Sequence, residues 1–285
     1  MRLTPFSFGH RWLAVDALRG VACVWMAVYH FCFDLRVFGW QPDWNFYSDP
    51  FWTSQRTAIL STFLLCAGIG QGIASAQGQN WQRFWRRWLQ VAGGAALVSI
   101  STYWAFEQRF VSFGVLHGIA IMLIITRLLA QNLRPRYFVA LGLGIIALHF
   151  FYQAQVRTGS SLPSAFDSRW LNWLGLVSHK PATEDFVPLL PWLGVMLLGA
   201  ALGLLLQAKS KNQAALTSAA GPSTAVQSLS PNGLAHGCAV PPNGVLSIVL
   251  RPLIFLGQHS LPFYLLHQPI FWGLLYGAAW LGFQA

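Results

Sequence analysis

The sequence predicts an all-α, polytopic transmembrane helical bundle of about seven spans, with an eighth crossing as the alternative and the N terminus in the cytoplasm. Three observations carry this. Of 285 residues, 55% are hydrophobic and 9% charged, where a soluble domain carries roughly 25% charged. A chain this apolar has too little polar surface to cover one core in water, so part of it must face lipid. The apolar residues also fall in segments of about 20, the length that crosses a bilayer, with short basic runs between them. Finally, the alternation over about ten residues that marks a membrane barrel is missing, and a helix is the other structure that satisfies its own backbone in hydrocarbon. Net charge of +10 and pI near 10.0 would suit nucleic acid if the basic residues formed one patch. Dispersed between spans they mark topology, and no nucleic-acid partner is expected.

Seven segments can be drawn: Trp12 to Phe33, Thr57 to Ala76, Trp88 to Phe106, Phe110 to Ala130, Tyr137 to Ala154, Val187 to Leu206 and His259 to Leu281. The first is too long for a cleaved signal peptide, contains Asp16 and Arg19, and has no small-residue cleavage site after it. Orientation follows from Lys and Arg, which accumulate in cytoplasmic loops. With the N terminus inside, inner segments hold eleven: Arg2, Arg11, Arg83, Arg86, Arg87, Arg127, Arg134, Arg136, Lys209, Lys211 and Arg251. Outer segments hold six: Arg36, Arg56, Arg109, Arg157, Arg169 and Lys180. Residues 1–207 then form the first six spans. The Ser-, Gly-, Pro- and Asn-rich stretch 208–244 reads as a flexible cytoplasmic linker. Residues 245–285 supply an interfacial helix, Val245 to Leu256, broken by Arg251 and Pro252, and then the last span packed on the same bundle.

Ionisable groups inside a membrane are costly, so they indicate where function lies. The first span carries Asp16, Arg19 and His30, with Asp34 at its outer edge. At 100° per residue these fall at about 60°, 0°, 20° and 60° relative to Arg19, all on one face. Arg19 and His30 are separated by about 16 Å of helix rise. A bland reading makes Asp16 and Arg19 a buried ion pair that sets register, and His30 and Asp34 a snorkelling pair. A functional reading makes the stripe a polar track reached from both sides. His117, in Phe113-Gly-Val-Leu-His117-Gly118, lies at a depth like that of His30, beside a small-xxx-small pair that explains the glycines by packing. His259 and His267 stand with Ser260, Tyr264 and Gln268 on the last span, and one or both can line a cavity.

The remaining candidates favour structure over chemistry. Glu184 and Asp185, before the Pro188-Leu-Leu-Pro191-Trp192 helix start, read as solvated loop charges. Trp40, Trp44, Phe46, Tyr47 and Trp52 crowd the first outer loop. An interfacial aromatic belt explains them, with sugar stacking as the alternative. Cys23, Cys32, Cys66 and Cys238 show no metal or disulfide spacing and read as packing residues. His236 and Cys238 are too few for a metal site, and no metal is expected.

Five pieces in order together carry a resemblance: Asp16-Ala-Leu-Arg19-Gly-Val-Ala; His30 with Phe33-Asp34-Leu35; Phe113-Gly-Val-Leu-His117; Pro188-Leu-Leu-Pro-Trp192-Leu-Gly194; and Gly257-Gln-His259-Ser-Leu-Pro-Phe-Tyr264-Leu-Leu-His267-Gln-Pro269. The chain resembles the heparan-alpha-glucosaminide N-acetyltransferase catalytic-domain family. Arg19-x10-His30 is also similar to the signature of membrane acyltransferases that acylate polysaccharides. The resemblance implies acetyl-CoA as a cytoplasmic donor substrate and transfer of acetyl to an amino sugar or sugar hydroxyl on the far side. It further implies an integral protein of a bacterial inner membrane, acting on an envelope glycan. On this reading His30, Asp34 and His117 are catalytic, while Arg19, Asp16, His259 and His267 hold the donor. Arg suits phosphate because its guanidinium stays charged and binds bidentately. His suits proton or acyl transfer because it titrates near neutrality, with Asp34 one turn on to orient it. A transporter with an intramembrane charge relay is the alternative, although it would commonly show an internal repeat, and none is visible. A homo-oligomer is compatible with the sequence.

Overall fold

Helix-starting residues set most of the observed boundaries. The computed structural model describes residues 12–105, 107–159, 164–179, 181, 183, 185–219 and 245–282. Among these residues there are eight α-helices and no strand: α1 (Leu13–Val37), α2 (Pro50–Ala76), α3 (Trp81–Ala105), α4 (Val115–Asn132), α5 (Pro135–Arg157), α6 (Trp192–Ala219), α7 (Val245–Gln258) and α8 (Ser260–Trp280). Pro50 and Pro135 open α2 and α5 at positions where a missing N–H costs nothing. Asp49 caps α2 by accepting from Phe51 N at 2.8 Å, and Asn80 caps α3 by accepting from Arg83 N at 2.8 Å.

Five helices, α1, α2, α4, α5 and α6, are long and apolar enough to cross a membrane. The seven-span expectation adds α3 and α8, which have the length at 25 and 21 residues. α3 is more polar, opening with Gln82, Arg83, Arg86, Arg87 and Gln90, whereas α8 has no charged residue and its apolar run is interrupted by His267 and Gln268. α7, where the alternative eighth crossing would lie, has 14 residues, about 21 Å of rise, short of the roughly 30 Å of a bilayer core. The linker also begins later than its composition indicates, because α6 continues to Ala219. Residues 208–219 hold Ala, Lys, Gln and Leu, all good helix formers, so the last turns of the span carry on past the apolar segment. The stretch 220–244, with His236 and Cys238, lies outside the described residues.

Close contacts give the helix directions. Residues of α1 meet α7 and α8 at a constant offset: Arg19 with Gly257, His30 with Gln268 and Asp34 with Trp272 are each 238 apart. One rod, interrupted at His259, therefore runs parallel to α1. The densest packing joins α2 to α6, also in parallel. A Cβ on Gly68 or Gly72 would overlap the carbonyl oxygens of Met196 and Ala200, and one on Gly199 or Gly203 would overlap those of Leu65 and Ile69. Small residues four apart on both helices thus let the two backbones touch, as membrane helix pairs do in the absence of a hydrophobic driving force. Leu60, Leu64, Met122, Val187, Leu189 and Met196 fill the core between α2, α4 and α6. Leu141, Leu143, Leu148, Phe150 and Phe151 on α5 stay exposed, as side chains facing lipid would.

In the connection before α6, Asp167 accepts from Ser178 Oγ at 2.6 Å and from Ser178 N at 2.7 Å. The Ser178 hydroxyl bond is the main influence holding this carboxyl below its usual range. The clamp is therefore present at neutral pH and is lost as pH falls through that lowered value.

Candidate active site

The α1 stripe faces the bundle interior, and its C-terminal half meets α8. The His30 and His267 rings lie 5.2 Å apart between centroids. His267 is buried, and its Nδ1 faces two backbone carbonyls, Tyr264 O at 2.8 Å and Phe263 O at 3.3 Å. A carbonyl only accepts, so Nδ1 carries the hydrogen and Nε2 is left with its lone pair. That Nε2 is buried and has no partner among the described residues. A helical residue bonding carbonyls three and four back has its tautomer fixed by its own helix, which makes His267 a ready proton acceptor.

His30 is held differently. Gln268 Nε2 lies 3.4 Å from His30 Nδ1, and as an amide donor it places the lone pair on Nδ1 and the hydrogen on Nε2. Gln268 also acts on Asp34. The Asp34 side chain is fully buried, with Oδ1 accepting from Trp272 Nε1 at 3.2 Å and Oδ2 without a partner. Asp34 thus reaches His30 through Gln268 and does not bond it directly. Tyr29 packs edge-on against His30 at 5.7 Å. Behind it Phe46, Trp52 and Trp44 form one aromatic cluster, with Phe46 stacked on Trp52 at 4.0 Å. These loop aromatics are a packed wall of the site; Phe46 is 1% exposed.

The N-terminal half of the stripe forms a polar knot. Arg19 Nη1 donates to Asp16 Oδ1 at 3.2 Å and to Gly257 O at 3.4 Å, and Nη2 donates to Cys66 O at 3.3 Å. Gln258 Nε2 reaches Asp16 Oδ2 at 3.4 Å. Of the five N–H groups on a guanidinium, three have these acceptors. Asp16 and Arg19 therefore tie α1 to α2 and α7, about 21 and 16 Å of rise from His30.

Two other predicted residues make their hydrogen bonds away from the histidine pair. His117 Nδ1 accepts from Gly114 N at 3.3 Å, and its Nε2 lies 3.1 Å from Ser99 Oγ. That hydroxyl donates to Val111 O at 2.6 Å. Both ring nitrogens are engaged, which makes His117 a staple of the α3–α4 corner. His259 is exposed, stacked on Phe255 at 4.3 Å and bonded to Phe255 O through Nδ1 at 2.9 Å. It marks the break between α7 and α8.

Sequence reasoning passed over three residues that the fold uses. Gln268 and Trp272 were visible only as neighbours of His267, and their role depends on the parallel pairing of α8 with α1. Asp185 was read as a solvated charge, yet its Oδ2 accepts from Val115 N at 2.7 Å and caps α4. Glu184 lies outside the described residues. Asp185→Ala is expected to destabilise the protein by about 1 kcal/mol, read as a lower thermal midpoint in detergent. An unchanged midpoint would remove the cap from the account of the α4 start.

Among the described residues no group of His, Cys, Asp and Glu is arranged to hold a metal ion. Comparison with curated proteins and with solved structures gave no match. A family model described as heparan-alpha-glucosaminide N-acetyltransferase, catalytic, matches residues 11–236. The match takes in α1 with Arg19, His30 and Asp34, and it ends before α7 and α8, which contribute Gly257, His267, Gln268 and Trp272. With most of its length matched and its helices those of an integral membrane bundle, the chain belongs to the heparan-alpha-glucosaminide N-acetyltransferase catalytic family of acetyltransferases.

Proposed function

We propose that the protein moves acetyl from cytoplasmic acetyl-CoA to an amino sugar or sugar hydroxyl of an envelope glycan on the far side of a bacterial inner membrane. The observation that carries this reading is the pairing of half-buried His30 with buried His267, in which one imidazole holds a free Nε2 lone pair and the other an Nε2–H. Acyl transfer needs these two complementary groups. His267 Nε2 takes the proton from the acceptor nitrogen or oxygen as that atom bonds to the acetyl carbonyl carbon. The His30 Nε2–H stabilises the charge that develops on the carbonyl oxygen. The carbon–sulfur bond then breaks, and the proton on His267 passes to the departing thiolate. Arg19, on the same face of α1 and tied to the α7 end, lines the donor's path toward the pair.

Asp34 and Gln268 act on this pair as positioning groups. Gln268 holds the His30 tautomer, and Asp34, fixed by Trp272, limits where the Gln268 amide can turn. Gln268→Ala is expected to lower turnover about tenfold or more by freeing the His30 tautomer. Gln268→Glu, which accepts where glutamine donates, should shift the pH profile of turnover. An unshifted profile would leave Gln268 a packing residue.

The direct test supplies purified protein in detergent with labelled acetyl-CoA, with and without glucosamine-type acceptors. Acceptor-dependent acetyl release by the wild type is the expected result. Folded protein that neither binds CoA nor turns over would overturn the reading in favour of a transporter.

A further inference from the structure

Arg127 is buried in the bundle, and unlike the half-buried Arg19 it has no carboxylate bonded to it among the described residues. It sits in the last turns of α4 and is 6% exposed. Nη1 donates to Ser75 Oγ at 3.1 Å, Nη2 donates to Gln79 O, and the guanidinium lies 5.1 Å from the Trp81 ring centroid. Among the described residues Nε is buried without a hydrogen-bond partner, and so is Oε1 of Gln79, whose backbone carbonyl accepts from Nη2. The Ser75 hydroxyl, the Gln79 carbonyl and the indole face orient the guanidinium, but dipoles and a π-face do not neutralise it. A buried charge normally has a counter-charge or forces one nearby.

The surroundings add positive charge only. Lys211 Nζ donates to Ala76 O at 3.0 Å, at the same end of α2. Arg83 and Arg86 lie on the first turns of α3, which has no acidic residue in its first turn. Asp16, in the first turn of α1, is bound to Arg19. Ser75 stands about 13 Å of rise beyond Cys66, the Arg19 partner on α2, and on the side away from the histidine pair.

We infer that Arg127, with Ser75, Gln79 and Trp81 around it, forms a phosphate-binding site at the end of the bundle where α2 and α4 finish. A phosphate ester fits the chemistry: it supplies the missing negative charge, accepts from Nε and the remaining N–H groups, and can donate to Gln79 Oε1 when monoprotonated. Two sources share that chemistry, the 3′-phosphate of a CoA-type nucleotide and the headgroup phosphate of an anionic lipid. The first rests on the acetyl-transfer reading above, and the second is independent of it.

The test uses the full chain, as wild type, Arg127→Gln and Arg127→Lys. Titration with CoA and with dephospho-CoA, which lacks the 3′-phosphate, reads the nucleotide source. A preference for CoA of about tenfold, lost in Arg127→Gln and partly kept in Arg127→Lys, establishes it. Thermal midpoints in phosphatidylglycerol and phosphatidylcholine nanodiscs read the lipid source. A gain in phosphatidylglycerol that Arg127→Gln abolishes, with no CoA preference, establishes that one. If the wild type shows neither preference, the site is overturned without recourse to a variant; if it shows one that both variants keep, Arg127 is not its seat. Acetyl release is measured in parallel, so a phosphate preference without turnover sinks the acetyltransferase reading and leaves the site standing.

Discussion

His267→Ala is expected to lower acceptor-dependent acetyl release by about 10²- to 10⁴-fold, the range for removing a positioned general base, while CoA binding is retained. His30→Ala should lose turnover as well, for a different reason: it removes the N–H facing the developing oxyanion, a change that costs about 10²- to 10³-fold. The two losses should not add. The rings are 5.2 Å apart, and groups that act on one transition state give double variants little worse than the worse single. The pH profile separates the roles. The base must be neutral to accept a proton, so wild-type turnover rises with pH through its titration, and that limb should vanish in His267→Ala. If His267→Ala turns over normally while His30→Ala is dead, the base is His30 and the orphan Nε2 is only a buried polar atom.

The pattern that exposes this site is partly local and partly not. Asp16, Arg19, His30 and Asp34 share a face because 100° per residue fixes it, and the fold turns that face inward. The division of labour between the histidines is a tertiary fact. It depends on α8 running parallel to α1 at an offset of 238, which no periodicity in either segment encodes. The same holds for His117, whose depth resembles that of His30 but whose two nitrogens are taken up by Gly114 and Ser99. Arg127 counted in sequence as one more positive charge for topology. Its burial appears only once the α2–α3 turn folds over the end of α4. Composition alone also ended the last α6 turns too early, because Lys and Gln look like linker residues although they are good helix formers.

Gly257→Leu is expected to be the most disruptive single substitution outside the site, with a loss of about 3 kcal/mol or more or failure to fold. A Cβ at Gly257 would overlap the carbonyl oxygen of Asp16, and one at Gly20 would overlap that of Leu253. Both neighbours are backbone, so neither can rotate away, and the two helices must separate. Separation also breaks the bonds from Arg19 to Gly257 O and from Gln258 to Asp16, and it shifts the rod that carries His267. Stability and turnover should therefore fall together. Gly273 and Gly277 on α8 provide the control, because nothing lies within 4 Å of a Cβ at either position. Gly273→Ala and Gly277→Ala should be neutral or gain about 0.5–1 kcal/mol from the better helix propensity of alanine. Thermal unfolding in detergent reads all of these. A wild-type midpoint for Gly257→Leu would mean that α7 does not rest on α1, and the parallel pairing that brings His267 to His30 would lose its anchor.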